Sequence, residues 1–299
     1  MGTVGLHRAA LVALTLAGGT TGHLSAQAER RSIYVSALDR SGEPAQTLAP
    51  SDLVVREDRV PREILDVTRA ADPLQIALLI DNSQAADPYV REYREALPAF
   101  INLVTADDRG GKHQISIITL ADRPTINTDY TADAEQLVKG ARRIFSMHGS
   151  GTYLLDGIRE TVAGFRKREV PRPVIIAVIA EGPELSDRHY DDVLQPLRAS
   201  RAAFHVVVIG RPNNSSHDRS IVLSAGTRDT GGRYDNVLAG TALPARLKQV
   251  AAELIHQYKV TYARPQTLIP PARITVSAAR SGLTVRGTPV KGEQGKGQP

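Results

Sequence analysis

The chain of 299 residues contains no cysteine. That absence removes disulfide staples, thiolate metal sites and a lipid-bearing N-terminal cysteine together. Aromatic residues make up only 4%, so a core has to be packed from Val, Ile, Leu and Ala. The scarcity also leaves no aromatic platform interleaved with basic residues, which single-stranded nucleic acid binders need. The net charge is +5, but the arginines are dispersed. Their tightest groups, Arg142-Arg143 and Arg166-Lys167-Arg168, read as solvated helix faces rather than a nucleic-acid patch. Past the N-terminus no apolar run reaches the ~20 residues that cross a bilayer, so no transmembrane segment is expected. Catalytic signatures are missing too. Neither Gly-x-Ser-x-Gly nor the phosphate loop Gly-x-x-x-x-Gly-Lys occurs. The histidines show no paired ligand spacing, and Glu253-x-x-His256 appears once where a carboxylate-bridged metal pair wants two copies.

What is present starts with a leader. His7 and Arg8 precede an apolar stretch from Ala9 to Ala17, and Ala26-Gln27-Ala28 supplies a small-residue cleavage pattern. Residues 1–28 therefore read as a secretory signal peptide. The expected location is outside the cytoplasm, periplasmic or extracellular. An apolar fraction of 41% is enough for a sizeable core.

The remaining chain divides by its periodicities. In the flank 29–72, Ile33–Ala37, Leu53–Glu57 and Ile64–Val67 are short strands, too few to bury a core alone. Their complement lies at 258–286, where Tyr258–Tyr262, Ile274–Val276 and Leu283–Val285 alternate with period two. The two flanks are expected to meet in a small β-sandwich-like unit, with residues 73–257 inserted between them. In that central segment strands at 74–81, 114–121, 173–180 and 203–210 alternate with helices near 88–105, 133–144, 152–168, 188–200 and 242–257. Such alternation implies an α/β, doubly wound, mostly parallel sheet. Asp87 before Pro88 reads as the cap of the first helix, and Pro98 interrupts its apolar stripe. Residues 287–299, rich in Gly and Lys, are expected to be disordered.

The central segment is organised around Leu74–Ile80, a nearly unbroken apolar run that suits a strand buried on both faces. It ends in Asp81-Asn82-Ser83-Gln84-Ala85, at the strand end where open α/β sheets place their ligands. This stretch resembles the first metal loop, Asp-x-Ser-x-Ser, of von Willebrand factor type A domains, with Ala85 in place of the last serine. Gly149-Ser150-Gly151-Thr152 is similar to their second loop, and Glu181-Gly182 stands where they show Asp-Gly. The β flanks are similar to those of a bacterial exported, acidobacterial-type subgroup. The resemblance implies a degenerate metal-ion-dependent adhesion site with Asp81, Ser83, Thr152 and Glu181 as ligands of Mg²⁺ or Mn²⁺. It implies an unidentified protein partner, with Asn82, Gln84, His148 and Ser150 beside the ion as partner-facing residues. No catalytic residue is expected. A plainer reading has Asp81, Ser83 and Thr152 capping loops and helix starts. Two alternatives for function stay open: a metal-independent envelope scaffold, and an exported hydrolase using Asp81 or Glu181 with His148.

Overall fold

The computed structural model describes residues 1–2 and 29–290, apart from 108, 110, 213–215, 267–268, 270 and 272. The signal-peptide segment and the tail beyond 290 lie outside the described residues. The N-terminal flank supplies β1 (Glu29–Leu38), β2 (Leu53–Glu57), β3 (Val60–Arg62) and β4 (Ile64–Arg69). The central segment then runs β5 (Gln75–Ile80), α1 (Val90–Thr105), β6 (Gln114–Thr119), β7 (Thr125–Thr131), α2 (Ala134–Arg142), α3 (Leu154–Arg168), β8 (Pro173–Ala180), α4 (Tyr190–Ser200), β9 (Ala203–Ile209), α5 (His217–Thr230), β10 (Tyr234–Val237) and α6 (Leu243–Ile255). The C-terminal flank adds β11 (Tyr258–Arg264), β12 (Ile274–Ala278) and β13 (Thr284–Pro289).

Six strands form the central sheet in the order β10-β9-β8-β5-β6-β7. All neighbours are parallel except β7, which returns antiparallel to β6. Strand side chains alternate between faces, and both faces are covered. Ile76, Leu78 and Ile80 of β5 pack with α1, α2 and α6, whereas Ala77 and Leu79 pack with α3 and α4. That double burial explains why β5 and β8 read as continuous apolar runs. Strand order reverses at β5, flanked by β6 and β8, so the crevice opens at its carboxyl end.

The two flanks do meet. β1 pairs with both β11 and β13, giving a sheet β13-β1-β11-β4, and β12-β2-β3 forms a second. The two share a core that includes Ile33, Val35, Val55, Tyr258, Val260 and Tyr262. Inside it the buried Glu57 accepts a hydrogen bond from Tyr262 Oη at 2.9 Å and pairs with Arg62 at 3.1 Å. One boundary moves: Gly287, Thr288 and Pro289, expected in the disordered tail, pair with Val35, Tyr34 and Ile33 of β1. β1, paired with β11 on one side, offers them a ladder on its other side, which composition alone does not reveal. A second expectation also fails. Asp87 lies in a 3-10 turn, Gln84–Tyr89, and bonds to Ser146 Oγ; α1 starts only at Val90.

The last turn of α5 rests against β13. Thr288 Oγ1 donates to Thr230 O at 2.7 Å, and Gly231 closes the helix at φ +73°. A Cβ on Gly231 would stand 2.2 Å from Gly287 O. Gly231→Ala therefore combines the left-handed penalty of ~1–2 kcal/mol with a backbone clash. A loss of about 2 kcal/mol or more is expected in urea denaturation, and a loss below about 0.5 kcal/mol would contradict this packing.

Candidate functional site

The chain leaves β5 at Asp81, which is fully buried. Its N–H donates to Val178 O at 2.9 Å. Its carboxylate accepts from Ser83 N at 2.9 Å and from Ala180 N at 3.0 Å. The side chain thus ties the first loop to the end of β8. Ser83 is fully buried, and Thr152 Oγ1 donates to its Oγ at 3.4 Å. Thr152 is held by backbone bonds on both sides, from its N–H to Pro183 O at 2.9 Å and from Leu185 N–H to its O at 2.8 Å. Three oxygen-bearing side chains, widely separated along the chain, gather at the crest of the sheet.

Thr152 is not a helix cap. The first-turn amides of α3 go to Glu184 and Ser186: Leu154 N donates to the Glu184 carboxylate at 3.3 Å and Asp156 N to Ser186 Oγ at 3.1 Å. Burial raises the Glu184 pKa, against the hydrogen bonds from Ser186. Beneath the crest the hydroxyl of Tyr93 is buried without a hydrogen-bond partner among the described residues. Burial and then the charge of Asp81 push its ionisation well above the usual tyrosine range.

The residues expected to face a partner fall into two groups. Asn82 is buried, and its amide ties loops together: Oδ1 accepts from Ala121 N at 2.9 Å and Nδ2 donates to Phe145 O at 3.2 Å. Gln84 is exposed, with Oε1 accepting from Gly149 N at 2.9 Å. His148 is exposed and Ser150 half-buried, the latter donating to Met147 O at 2.7 Å. No hydrogen bond joins His148 to Asp81 or Glu181 among the described residues.

Glu181 departs from its expected role. Its carboxylate meets the guanidinium of Arg219, with Nη1 3.3 Å from Oε2. Arg219 lies in the first turn of α5, where Ser216 Oγ caps its N–H at 3.2 Å. Its side chain also donates to Gly182 O and Ala180 O, each at 3.2 Å. Sequence reading missed this residue because it missed α5.

The donor set does not fit the divalent ion that the resemblance implies. Mg²⁺ wants six oxygens in near-octahedral array, at least one of them anionic. Ala85 offers a methyl group, and it fills the space opposite Gly182, where an added Cβ would lie 2.4 Å from Ala85 Cβ. Glu181 is neutralised by Arg219, which leaves Asp81 as the sole carboxylate bonded into the Ser83–Thr152 cluster.

No family model matches the chain, and no curated protein matches it. Solved structures do. A von Willebrand factor type A protein from Catenulispora acidiphila aligns at TM-score 0.50 and 10% identity, over 88% of this chain and 74% of that one. The corresponding domain of the type V pili tip protein Mfa5 from Porphyromonas gingivalis aligns at TM-score 0.50 and 10% identity, over 62% and 96%. With a parallel sheet wound on both sides, an antiparallel strand at its edge and the loop contacts at its crest, the chain has the von Willebrand factor type A fold.

Proposed function

We propose that the chain is an exported, non-catalytic docking module whose crest seats a protein partner. The convergence of Asp81, Ser83 and Thr152 at the carboxyl ends of β5 and β8 carries this reading. The side chains there are spent on holding loops in place, which suits a rigid platform better than a reaction centre. Around the platform stand Phe145, Leu185 and Leu238, which are 64%, 49% and 71% exposed. Phe145 is joined to the first loop through Asn82, and Leu185 packs where a Cβ on Gly151 would lie 2.6 Å from its Cγ. Exposed large apolar side chains of this kind are a mark of a protein-interaction face. Export is supported by the N-terminal leader pattern. The hydrolase alternative gains little from the geometry, since Asp81 is bonded to the backbone amides of Ser83 and Ala180, Glu181 is paired with Arg219, and neither bonds to His148 among the described residues.

Affinity capture from a cell-envelope extract tests the reading. The mature chain is expected to retain a discrete protein partner. A Phe145→Asp, Leu185→Asp double variant should retain it at least about tenfold less well, the effect of losing one hot-spot anchor. Both substitutions lie on the surface, so the melting temperature should stay within about 2 °C of the parent. Equal retention by parent and variant would overturn the assignment of this face. A turnover lost in His148→Ala, found in an esterase, phosphatase and glycosidase screen, would overturn the non-catalytic reading.

A further inference from the structure

The mismatch between the donor set and a divalent ion has a specific cause, and it lies in one residue. The Arg219 side chain is 5% exposed. It reaches from α5 to the end of β8 and donates to three acceptors there: the carboxylate of Glu181 and the carbonyls of Gly182 and Ala180. Its Nε has no hydrogen-bond partner among the described residues. The backbone of Ala180 is held from both sides, because its N–H donates to Asp81 and its C=O accepts from Arg219. The guanidinium therefore adjoins the strand end that Asp81 grips. Its planar donor array suits a carboxylate flanked by carbonyls.

We infer that Arg219 is a tethered cation that occupies, electrostatically, the role of a bound metal ion at this crest. It neutralises Glu181, draws the β8 carbonyls into a fixed arrangement and makes the platform independent of divalent ions. Ala85 is consistent with this: with the positive charge supplied from α5, a fifth oxygen donor has nothing to coordinate, and a methyl group packs against Gly182 instead. Removing the guanidinium would expose an oxygen-rich strand end with one unpaired, largely buried carboxylate. Such an end attracts hard cations. The inference rests on the crest being the working face proposed above, yet it is tested with no partner present. A failed partner search and a failed tethered cation are therefore separate results.

The test is a Mn²⁺ and Mg²⁺ titration of the mature chain, read by Mn²⁺ electron paramagnetic resonance and by thermal melting with and without chelator. The parent is expected to leave Mn²⁺ free and to melt within about 1 °C of its chelator-treated value. Arg219→Met keeps an unbranched apolar stem and removes the guanidinium with its charge. It should melt lower and should regain about 3 °C or more in 5 mM Mn²⁺, the gain following the concentration of ion over its dissociation constant. Adding Glu181→Gln to Arg219→Met should cancel that Mn²⁺ gain and restore part of the lost stability, because no carboxylate is then left unpaired. Submillimolar Mn²⁺ binding by the parent would overturn the inference without recourse to any variant. It would also be overturned by an Arg219→Met protein as stable as the parent, or by one that folds and remains indifferent to Mn²⁺.

Discussion

Replacing Glu253 with glutamine should cost about 3 kcal/mol of folding stability, among the larger single losses this chain can suffer without a cavity. Glu253 lies in α6 with its side chain 1% exposed. Its carboxylate lies 2.5 Å from Arg286 of β13 and 3.7 Å from Arg233, just before β10. Arg233 continues to Asp235 at 2.6 Å, and Arg246 of α6 reaches the same carboxylate at 3.6 Å. The cluster joins the α/β layers to the flank sheet. Burial alone would raise the Glu253 pKa, but the charge of Arg286 above all holds it below the ordinary glutamate value. Glutamine keeps the volume and deletes the charge, leaving the largely buried Arg286 guanidinium without its carboxylate partner, while Arg233 keeps Asp235. Such a deletion is far costlier than replacing the whole cluster by apolar groups. The loss should appear as a lower urea midpoint at unchanged slope, since the folded surface is the same. In an Arg286→Met background the same substitution should cost less than half as much, because part of the imbalance is already gone. A loss under about 1 kcal/mol in the parent would show that the cluster is solvated in solution.

Glu253 also shows how far the sequence could be read. Glu253-x-x-His256 is visible as a spacing, and its occurring only once argues against a paired metal site. Nothing local says that the glutamate turns toward Arg286, because β13 comes from a flank whose pairing is not local. The same division runs through the fold. β5 and β8 were legible because burial on both faces imposes an unbroken apolar run. The meeting of the flanks followed from two half-sheets that each lacked a core. β7 was not legible: it is an edge strand, exposed at Thr125, Ile126 and Asn127, and carries no alternation. β10 has four residues and a single buried side chain. α5 was missed because its buried face is built from Val222, Leu223, Gly226, Thr227 and Thr230, a stripe too small and polar to register as amphipathic. That omission reached the site. Asp81, Ser83 and Thr152 could be placed together from loop motifs, whereas Glu181 could not be separated from them without α5 and its Arg219.

A second large effect concerns pH and turns on His205. This residue lies in β9, paired with Ile176 of β8, and is fully buried. Neither ring nitrogen has a hydrogen-bond partner among the described residues. Burial drives its pKa down to about 4; Glu253 and Asp235 oppose the shift, while Arg286 and Arg233 reinforce it. In the unfolded chain the imidazole takes up a proton near pH 6.5, while in the folded protein it does so only near the depressed value. Between those limits the unfolded state binds more protons, so stability must fall as pH falls. The full effect, present at neutral pH and lost by about pH 4, is on the order of 3 kcal/mol. Glu253 adds to the loss further down: its folded pKa is depressed, so its contribution holds above the unfolded glutamate value and disappears as pH drops through the folded one. His205→Leu separates the two. At pH 7 it replaces a neutral ring that makes no hydrogen bonds with an apolar side chain of similar size, so it should change stability by less than about 1.5 kcal/mol. On acidification from pH 6.5 to pH 4.5 the variant should stay nearly level while the parent loses most of the effect, so that the variant becomes the more stable protein. Urea midpoints of the two proteins across that range would settle it. Parallel curves would mean that the imidazole already reaches water in the folded state, and the closed packing of β9 against α6 would have to be abandoned.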